Sequence, residues 1–199
     1  MTVPSSSNEE LRVLRLAADR GDWNGCRTAS EKLLLRITCR HAVGLIREQV
    51  ARRLPAFERH HPNVHWPREF IESTDAEPAH IARTWPETED EFRGPGGNNF
   101  TSAVEALWKA SRLTNDERQC TLGLVDALAG AIMAESTEHW GSRHPKEWAL
   151  WYQLSRAGED DPRIIDIQLT MRRDSEVKSI ERTAWLEAAD QLEAALRET

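Results

Sequence analysis

The sequence predicts an all-α protein, a helical bundle-like single domain of about five to seven helices. Three observations predict this class. Apolar residues recur at helical spacing over most of the chain, and the stretch from Asp22 to His60 contains a single proline. Helix-start patterns occur again after residue 100. A chain of 199 residues can also bury a core of its own without a structural metal or disulfides.

Residues 1–8 predict a disordered tail, and residues 9–60 predict an N-terminal helical hairpin. Gly21 is placed to end the first helix, and Asp22 is placed to cap the second. The turn formed by Gly21, Asp22 and Trp23, followed by EKLL at 31–34, resembles the inter-helix turn of a tetratricopeptide-type hairpin. The resemblance implies a tight helical hairpin at this point.

The second helix of the hairpin is predicted to be long and basic. Between Trp23 and His61 the chain has eight Lys and Arg against three Glu, although its net charge is −7. The apolar residues are Cys26, Leu33, Leu34 and Ile37 before Gly44, and Ile46, Val50, Leu54 and Phe57 after it. At about 100° per residue these two sets fall on nearly opposite sides. We therefore expect a helix break near Gly44, or two halves that pack on different partners.

Residues 61–99 predict a long irregular connection that is rich in proline and acidic near its end. The five prolines between 61 and 99 leave room for short helices near 68–73 and 78–84. A connection of this length is typical of a functional loop, an ordered wrap or a domain boundary.

Residues 100–199 predict a C-terminal helical half. Two helix starts fit capping boxes, Ser102 with Glu105 and Thr114 with Glu117. The helix that carries Cys120, Leu124, Leu128 and Ile132 is our candidate for the central buried element, because its glycines and alanines let a neighbouring helix approach closely. Pro145 fits the first position of a later helix. Residues 164–171 alternate apolar and polar side chains, which predicts one short strand-like segment unless the segment is helical.

The three cysteines form no CxxC pair, and we expect free thiols in a reducing cytoplasm. The N-terminal residues show no export signal. The most apolar stretch, residues 122–134, is interrupted by Asp126 and is too short to span a bilayer. The sequence therefore predicts a cytoplasmic protein without a membrane span.

Arg36 and His41 are the candidate catalytic pair. Their Arg-x4-His spacing resembles the motif of HEPN-type ribonucleases. The resemblance implies a metal-independent ribonuclease, in which a helical dimer brings both residues to the RNA 2′-hydroxyl and phosphate. In that family a polar residue usually follows the arginine, whereas Ile37 follows it here. The alternative is a solvated arginine beside a partly buried histidine.

His60, His61 and His65 are the candidate metal ligands, since three imidazoles within six residues could hold zinc. Pro62 and Pro67 disfavour the regular helix that a His61–His65 pair would need. The alternative is a polar loop packed by Trp66, and we expect no cofactor.

Two sets of side chains are candidate interaction residues. A basic stripe could neutralise phosphates, dock the acidic residues 87–91 of the same chain, or remain solvated; it comprises Lys32, Arg36, Arg40 and Arg47. An aromatic group could stack a ligand, a nucleobase or a partner's side chain, or fill a core; it comprises Trp140, Trp148, Trp151, Tyr152 and Trp185. Trp148 and Trp151 are three residues apart and share one side of a helix.

No complete catalytic motif is present, and eight tryptophans accompany a single tyrosine. The sequence therefore predicts a non-enzymatic helical interaction protein: a small subunit, adaptor or neutralising partner in a larger bacterial-type assembly. We expect it to bind another protein or a second copy of itself. One alternative is a HEPN-like ribonuclease. The other is a small subunit that contacts nucleic acid through the basic stripe, although a pI near 5.6 disfavours general nucleic-acid binding.

Overall fold

The protein is all-α, as its sequence predicts. The computed structural model describes residues 5–73, 94–113, 115–157 and 161–198, and over these ranges it contains ten helices and no strand. The helices are α1 (Ser5–Arg20), α2 (Trp23–Leu34), α3 (Cys39–Ala51), α4 (Leu54–His60), α5 (Trp66–Glu72), α6 (Gly97–Arg112), α7 (Glu117–Arg143), α8 (Pro145–Ala157), α9 (Pro162–Arg173) and α10 (Ser175–Glu198). The prediction of five to seven helices was too low.

The predicted long basic helix is three helices, α2, α3 and α4. Its breaks lie at residues 35–38 and 52–53, and α3 runs without interruption through Gly44. The predicted break at Gly44 is therefore wrong. The turn at 35–38 resets the helical phase, so Ile37 and Ile46 enter the same core although continuous-helix counting places them on opposite sides.

The turn between α1 and α2 agrees with its prediction. Gly21 has a φ of +65°, in the left-handed region that glycine tolerates. Asp22 caps α2, because its side chain accepts a 2.9 Å hydrogen bond from the backbone N–H of Gly25. The predicted disordered tail is wrong from Ser5 onward, where α1 begins, and Ser7 is buried against the bundle.

Helix α7 is the central buried element, which confirms the prediction. Cys120, Leu124, Leu128 and Ile132 have no exposed surface. A Cβ on Gly123 would lie 3.0 Å from Ala110 Cβ, and one on Gly130 would lie 3.1 Å from Ala103 Cβ. These pairings show that α6 packs antiparallel to α7 at very short range.

Helix α7 is long and apolar enough by length and composition to cross a membrane, unlike the shorter stretch noted in the sequence. However, 67% of its most apolar window is buried inside the structure. Core helices show the same pattern.

Two predicted helix starts are wrong and one is right. Ser102 lies inside α6, which begins after Gly96, and Asp116 caps α7 by accepting a hydrogen bond from the N–H of Gln119. Thr114 lies outside the described residues. Pro145 is the first residue of α8, as predicted.

The segment 164–171 is helical and lies within α9, so the strand-like prediction is wrong. Asp161 caps this helix by accepting a 2.9 Å hydrogen bond from the N–H of Arg163. Ile164 and Ile167 are half-buried, whereas Ile165 and Leu169 are exposed. A helix with apolar residues on two sides produced the apparent two-residue alternation.

The bundle around α7 is formed by α1, α2, α3, α6 and α10. Helices α8 and α9 pack on each other and touch the bundle mainly through α7 and α10. A disulfide between Cys39 and Cys120 joins α3 to α7, and Cys26 is a buried free thiol. The expectation of three free thiols is therefore wrong for this pair, whose members are 81 residues apart and gave no local sequence signal.

The predicted connection at 61–99 was expected to contain two short helices. The first is present as α5, which begins at Trp66, close to the expected start at 68. The helix expected near 78–84 and the acidic residues 87–91 lie outside the described residues.

Candidate functional site

A cleft of about 1430 Å³ lies between the α8–α9 pair and the bundle. One wall is formed by α8 and α9, and the floor and opposite wall are formed by the turn between α1 and α2, the start of α6, and parts of α7 and α10. The cleft is larger than the roughly 300–1000 Å³ of ordinary small-molecule pockets.

Aromatic side chains line much of this cleft. Five of the eight tryptophans and the single tyrosine are among its lining residues: Trp23, Trp140, Trp148, Trp151, Tyr152 and Trp185. The ring centroids of Trp148 and Trp151 are 4.8 Å apart in a stacked arrangement, and those of Trp23 and Trp185 are 5.4 Å apart in an edge-to-face arrangement. The tryptophan excess of the sequence is therefore concentrated at one place in the fold.

The aromatic lining has a buried floor and a more accessible wall. Trp140 is 1% exposed and Trp185 is 2% exposed. Trp148, Trp151 and Tyr152 on α8 are half-buried, and no residue that the structure describes on α8 or α9 is fully buried. The α8–α9 wall thus presents apolar surface that its own chain covers only in part.

Three indole N–H groups at the cleft have no acceptor within the described part of the chain. They are the Nε1 atoms of Trp140, Trp151 and Trp185. Buried donors without a partner are uncommon in folded proteins. These three nitrogen atoms are themselves buried, so they lie beneath the surface of the cleft.

The cleft is rimmed by cations. Among the described residues, its charged lining comprises five cations, Arg20, Arg156, Arg172, Lys178 and Arg182, and two acids, Asp19 and Glu181. Arg182 Nε donates a 2.8 Å hydrogen bond to Asp19 Oδ1. Arg20, Arg172 and Lys178 are exposed and lie in no ion pair with a described residue, in a chain whose net charge is −7.

Glu181 is a half-buried acid of the cleft. Its carboxylate accepts a 3.1 Å hydrogen bond from Ser136 Oγ on α7. Burial raises the pKa of Glu181, and this outweighs the lowering by Ser136 and Arg172. Its carboxylate is therefore easier to protonate than that of a solvated glutamate.

The predicted aromatic interaction residues lie in this cleft. Trp148 and Trp151 line its wall together. Sequence reasoning missed Trp23, Ile167 and Met171, which line the cleft from other helices. The apolar periodicity of α9 could have identified the last two, had the segment been recognised as a helix.

The four residues of the predicted basic stripe are divided between α2, the turn after it and α3. Arg36 lies in the turn between α2 and α3 and donates a 2.8 Å hydrogen bond to Glu10. Arg47 lies over the ring of Phe70, with 5.9 Å between its guanidinium carbon and the ring centroid. Lys32 is on α2, and Arg40 is the second residue of α3, beyond the break. The break at 35–38 separates residues that a continuous helix would align.

The predicted catalytic pair is divided by the same break. Arg36 is held by Glu10, and His41 Nε2 lies 4.0 Å from Glu198 Oε2 on the last helix. Each side chain therefore has a carboxylate partner of its own.

The three predicted metal ligands lie in different surroundings. His60 Nε2 lies 3.1 Å from Glu138 Oε1, and His65 is exposed at the start of α5. His61 is 6% exposed and stacks on Phe57 with ring centroids 4.7 Å apart; burial lowers its pKa to about 4. Within the described ranges, no group of three His, Cys, Asp or Glu residues could hold a metal ion.

Comparisons with family models, with curated proteins and with solved structures found no match to this chain.

Proposed function

We propose that the protein is a non-enzymatic interaction protein that holds an apolar segment of a protein partner in the cleft between α8–α9 and the bundle. The observation that carries the proposal is the incomplete burial of α8 and α9. Both helices direct large apolar residues to the cleft, among them Trp151, Ile167 and Met171, yet neither helix buries any described residue fully.

Covering this surface would be favourable. Removing apolar surface from water contributes about 25 cal/mol per Å². Tryptophan is among the residues that most often dominate the energy of an interface, especially where it is surrounded by other contacts that exclude water. The cleft has both features, since Trp148 and Trp151 are flanked by the bundle on one side and by α9 on the other.

The dimensions of the cleft also favour a polypeptide. Its volume of about 1430 Å³ exceeds that of an ordinary small-molecule pocket. A helix with its side chains is about 10–12 Å wide, and laying an amphipathic helix in an apolar groove is a recurrent mode of recognition.

The nucleic-acid alternative receives less support. Proteins that bind single strands present aromatic faces on which bases stack. Here Trp148 and Trp151 stack on each other, and the Tyr152 ring lies beneath the guanidinium of Arg156, 6.0 Å from its centroid. The ribonuclease alternative gains no support either, because Arg36 is bonded to Glu10 and His41 lies beside a different carboxylate, 4.0 Å from Glu198.

Two substitutions on one helix test the proposal. Ile167→Arg places a charge in the cleft, whereas Ile165→Arg is a matched control at a residue that is 59% exposed and does not line the cleft. In tagged purifications from the source cells, we expect one partner to accompany the unaltered protein and Ile165→Arg but not Ile167→Arg, with circular dichroism equal for all three. Retention of the same partner by folded Ile167→Arg would contradict the proposal.

A further inference from the structure

We propose that the segment held in the cleft is an acidic amphipathic helix of a protein partner, an inference that rests on the proposed function and specifies its ligand. The chemistry that would recognise such a helix is the combination of an apolar floor with a cationic rim.

The floor and the rim are separate in depth. Half-buried Trp151, Ile167 and Met171 supply apolar surface inside the cleft, and the buried rings of Trp140 and Trp185 lie beneath it. The five cations of the lining are all exposed, namely Arg20, Arg156, Arg172, Lys178 and Arg182. An occupant that fits this pattern carries apolar side chains on one face and carboxylates along its flanks.

Within the described part of the chain, Arg20, Arg172 and Lys178 lie in no ion pair with an acid of the cleft. Asp19 is committed to Arg182, and Glu181 is half-buried and bonded to Ser136. The chain as a whole has a net charge of −7, so this group of cations is a local departure from its acidic composition. Complementary charge of this kind gives specificity and speeds association more than it adds affinity.

The fold favours a helical occupant over an extended one. An extended segment must find partners for its backbone N–H and C=O groups, usually at the edge of a sheet. The described part of the chain has no strand. A helix satisfies its own backbone groups, and it brings only side chains to the apolar floor. The indole N–H groups of Trp140, Trp151 and Trp185 are buried, so they do not pair the backbone of an extended occupant either.

The test is a selection from a displayed library of random peptides about 18 residues long, enough for five helical turns. The selected peptides are then measured for binding to the unaltered protein, to Ile167→Arg and to the double variant Arg172→Glu/Lys178→Glu. Arg118→Glu is the charge control, because Arg118 is exposed on α7 and does not line the cleft. A random single-stranded oligonucleotide pool is selected in parallel.

We expect peptides rich in Asp and Glu, with apolar residues at helical spacing, that do not bind Ile167→Arg. Their affinity should fall about tenfold in the double variant and with rising salt, and should be unchanged in Arg118→Glu. Neutral or basic peptides that still need Ile167 would overturn the acidic-helix inference while leaving the proposed function standing. Peptides indifferent to Ile167→Arg, or oligonucleotides that need Ile167 when peptides do not, would overturn both.

Discussion

The indole rings of Trp148 and Trp151 stack on one side of α8, with centroids 4.8 Å apart and planes 27° apart. Their spacing of three residues puts them on the same side of the helix. The pair forms part of the cleft wall, and its own chain leaves both residues half-buried. Large aromatic surface is thus held in a fixed arrangement at a place where a partner can reach it.

Replacing Trp151 should affect binding far more than stability. Trp151→Ala removes one stacked pair on a helix with no fully buried residue among those described. We therefore expect the free energy of unfolding to fall by about 1 kcal/mol. Trp140→Ala, at a residue only 1% exposed, should cost about 3–5 kcal/mol. Urea unfolding of both variants measures the difference. Equal losses would mean that Trp151 is a core residue and not a wall of an open site.

The close approach of α6 and α7 predicts opposite effects for two glycine substitutions. Gly44 lies inside α3, and no atom lies within 4 Å of the position that a Cβ would take there, so Gly44→Ala should stabilise by up to about 1 kcal/mol through helix propensity. Gly130→Ala would place its Cβ 3.1 Å from Ala103 Cβ and 3.3 Å from the Asn99 carbonyl oxygen. We expect crowding to exceed the propensity gain and to destabilise by about 1 kcal/mol. Thermal or urea unfolding decides the sign, and stabilisation by Gly130→Ala would contradict the packing described for α6 and α7.

The disulfide between Cys39 and Cys120 predicts a thiol count. Unfolded, unreduced protein should react with a thiol reagent at one cysteine, Cys26, and reduced protein at all three. Because the bridge closes a long loop, reduction should lower the free energy of unfolding by roughly 2–4 kcal/mol. Three reactive thiols without prior reduction would show that the bridge is absent in solution.

Because His61 is buried, we expect the free energy of unfolding to depend on pH between 6.5 and 4. Burial lowers its pKa from 6.5 to about 4 in the folded protein. Between these values the unfolded chain binds more protons than the folded one, so stability should fall as pH decreases from 6.5 to 4, by on the order of 3 kcal/mol from this residue. Urea unfolding across this range should show the slope in the unaltered protein and in His65→Gln, whose residue is exposed, and a smaller slope in His61→Gln. Equal slopes in both variants would assign the acid sensitivity to other groups.

Local signals in the sequence predicted the elements that depend on local chemistry. Gly21 and Asp22 specify the first turn through backbone freedom and side-chain capping, and the run of small and apolar residues around Leu128 identified α7 as the core helix. The spacing of Trp148 and Trp151 predicted that they share one side of α8, and their stacked rings confirm this placement. These inferences needed no knowledge of distant parts of the chain.

Features that depend on tertiary structure were not predictable in this way. The break at residues 35–38 contains neither proline nor glycine, so the phase change in the apolar pattern was assigned to Gly44 instead. Segment 164–171 alternates because α9 has both a cleft side and an exposed side, and the pattern of a half-buried strand is the same. The cleft is lined by residues that are far apart along the chain, from α1 to α10. No spacing in the sequence indicates that these residues lie close together in the fold.

Photo-crosslinking from two positions tests the central claim most directly. A photoreactive phenylalanine derivative is placed at Tyr152, which lines the cleft, or at Leu169, which is exposed on α9 and does not line it. In the source cells, we predict that one partner protein is crosslinked from position 152 and not from position 169, and that Ile167→Arg abolishes the product. Equal crosslinking from both positions, or from position 169 alone, would contradict a partner held in the cleft.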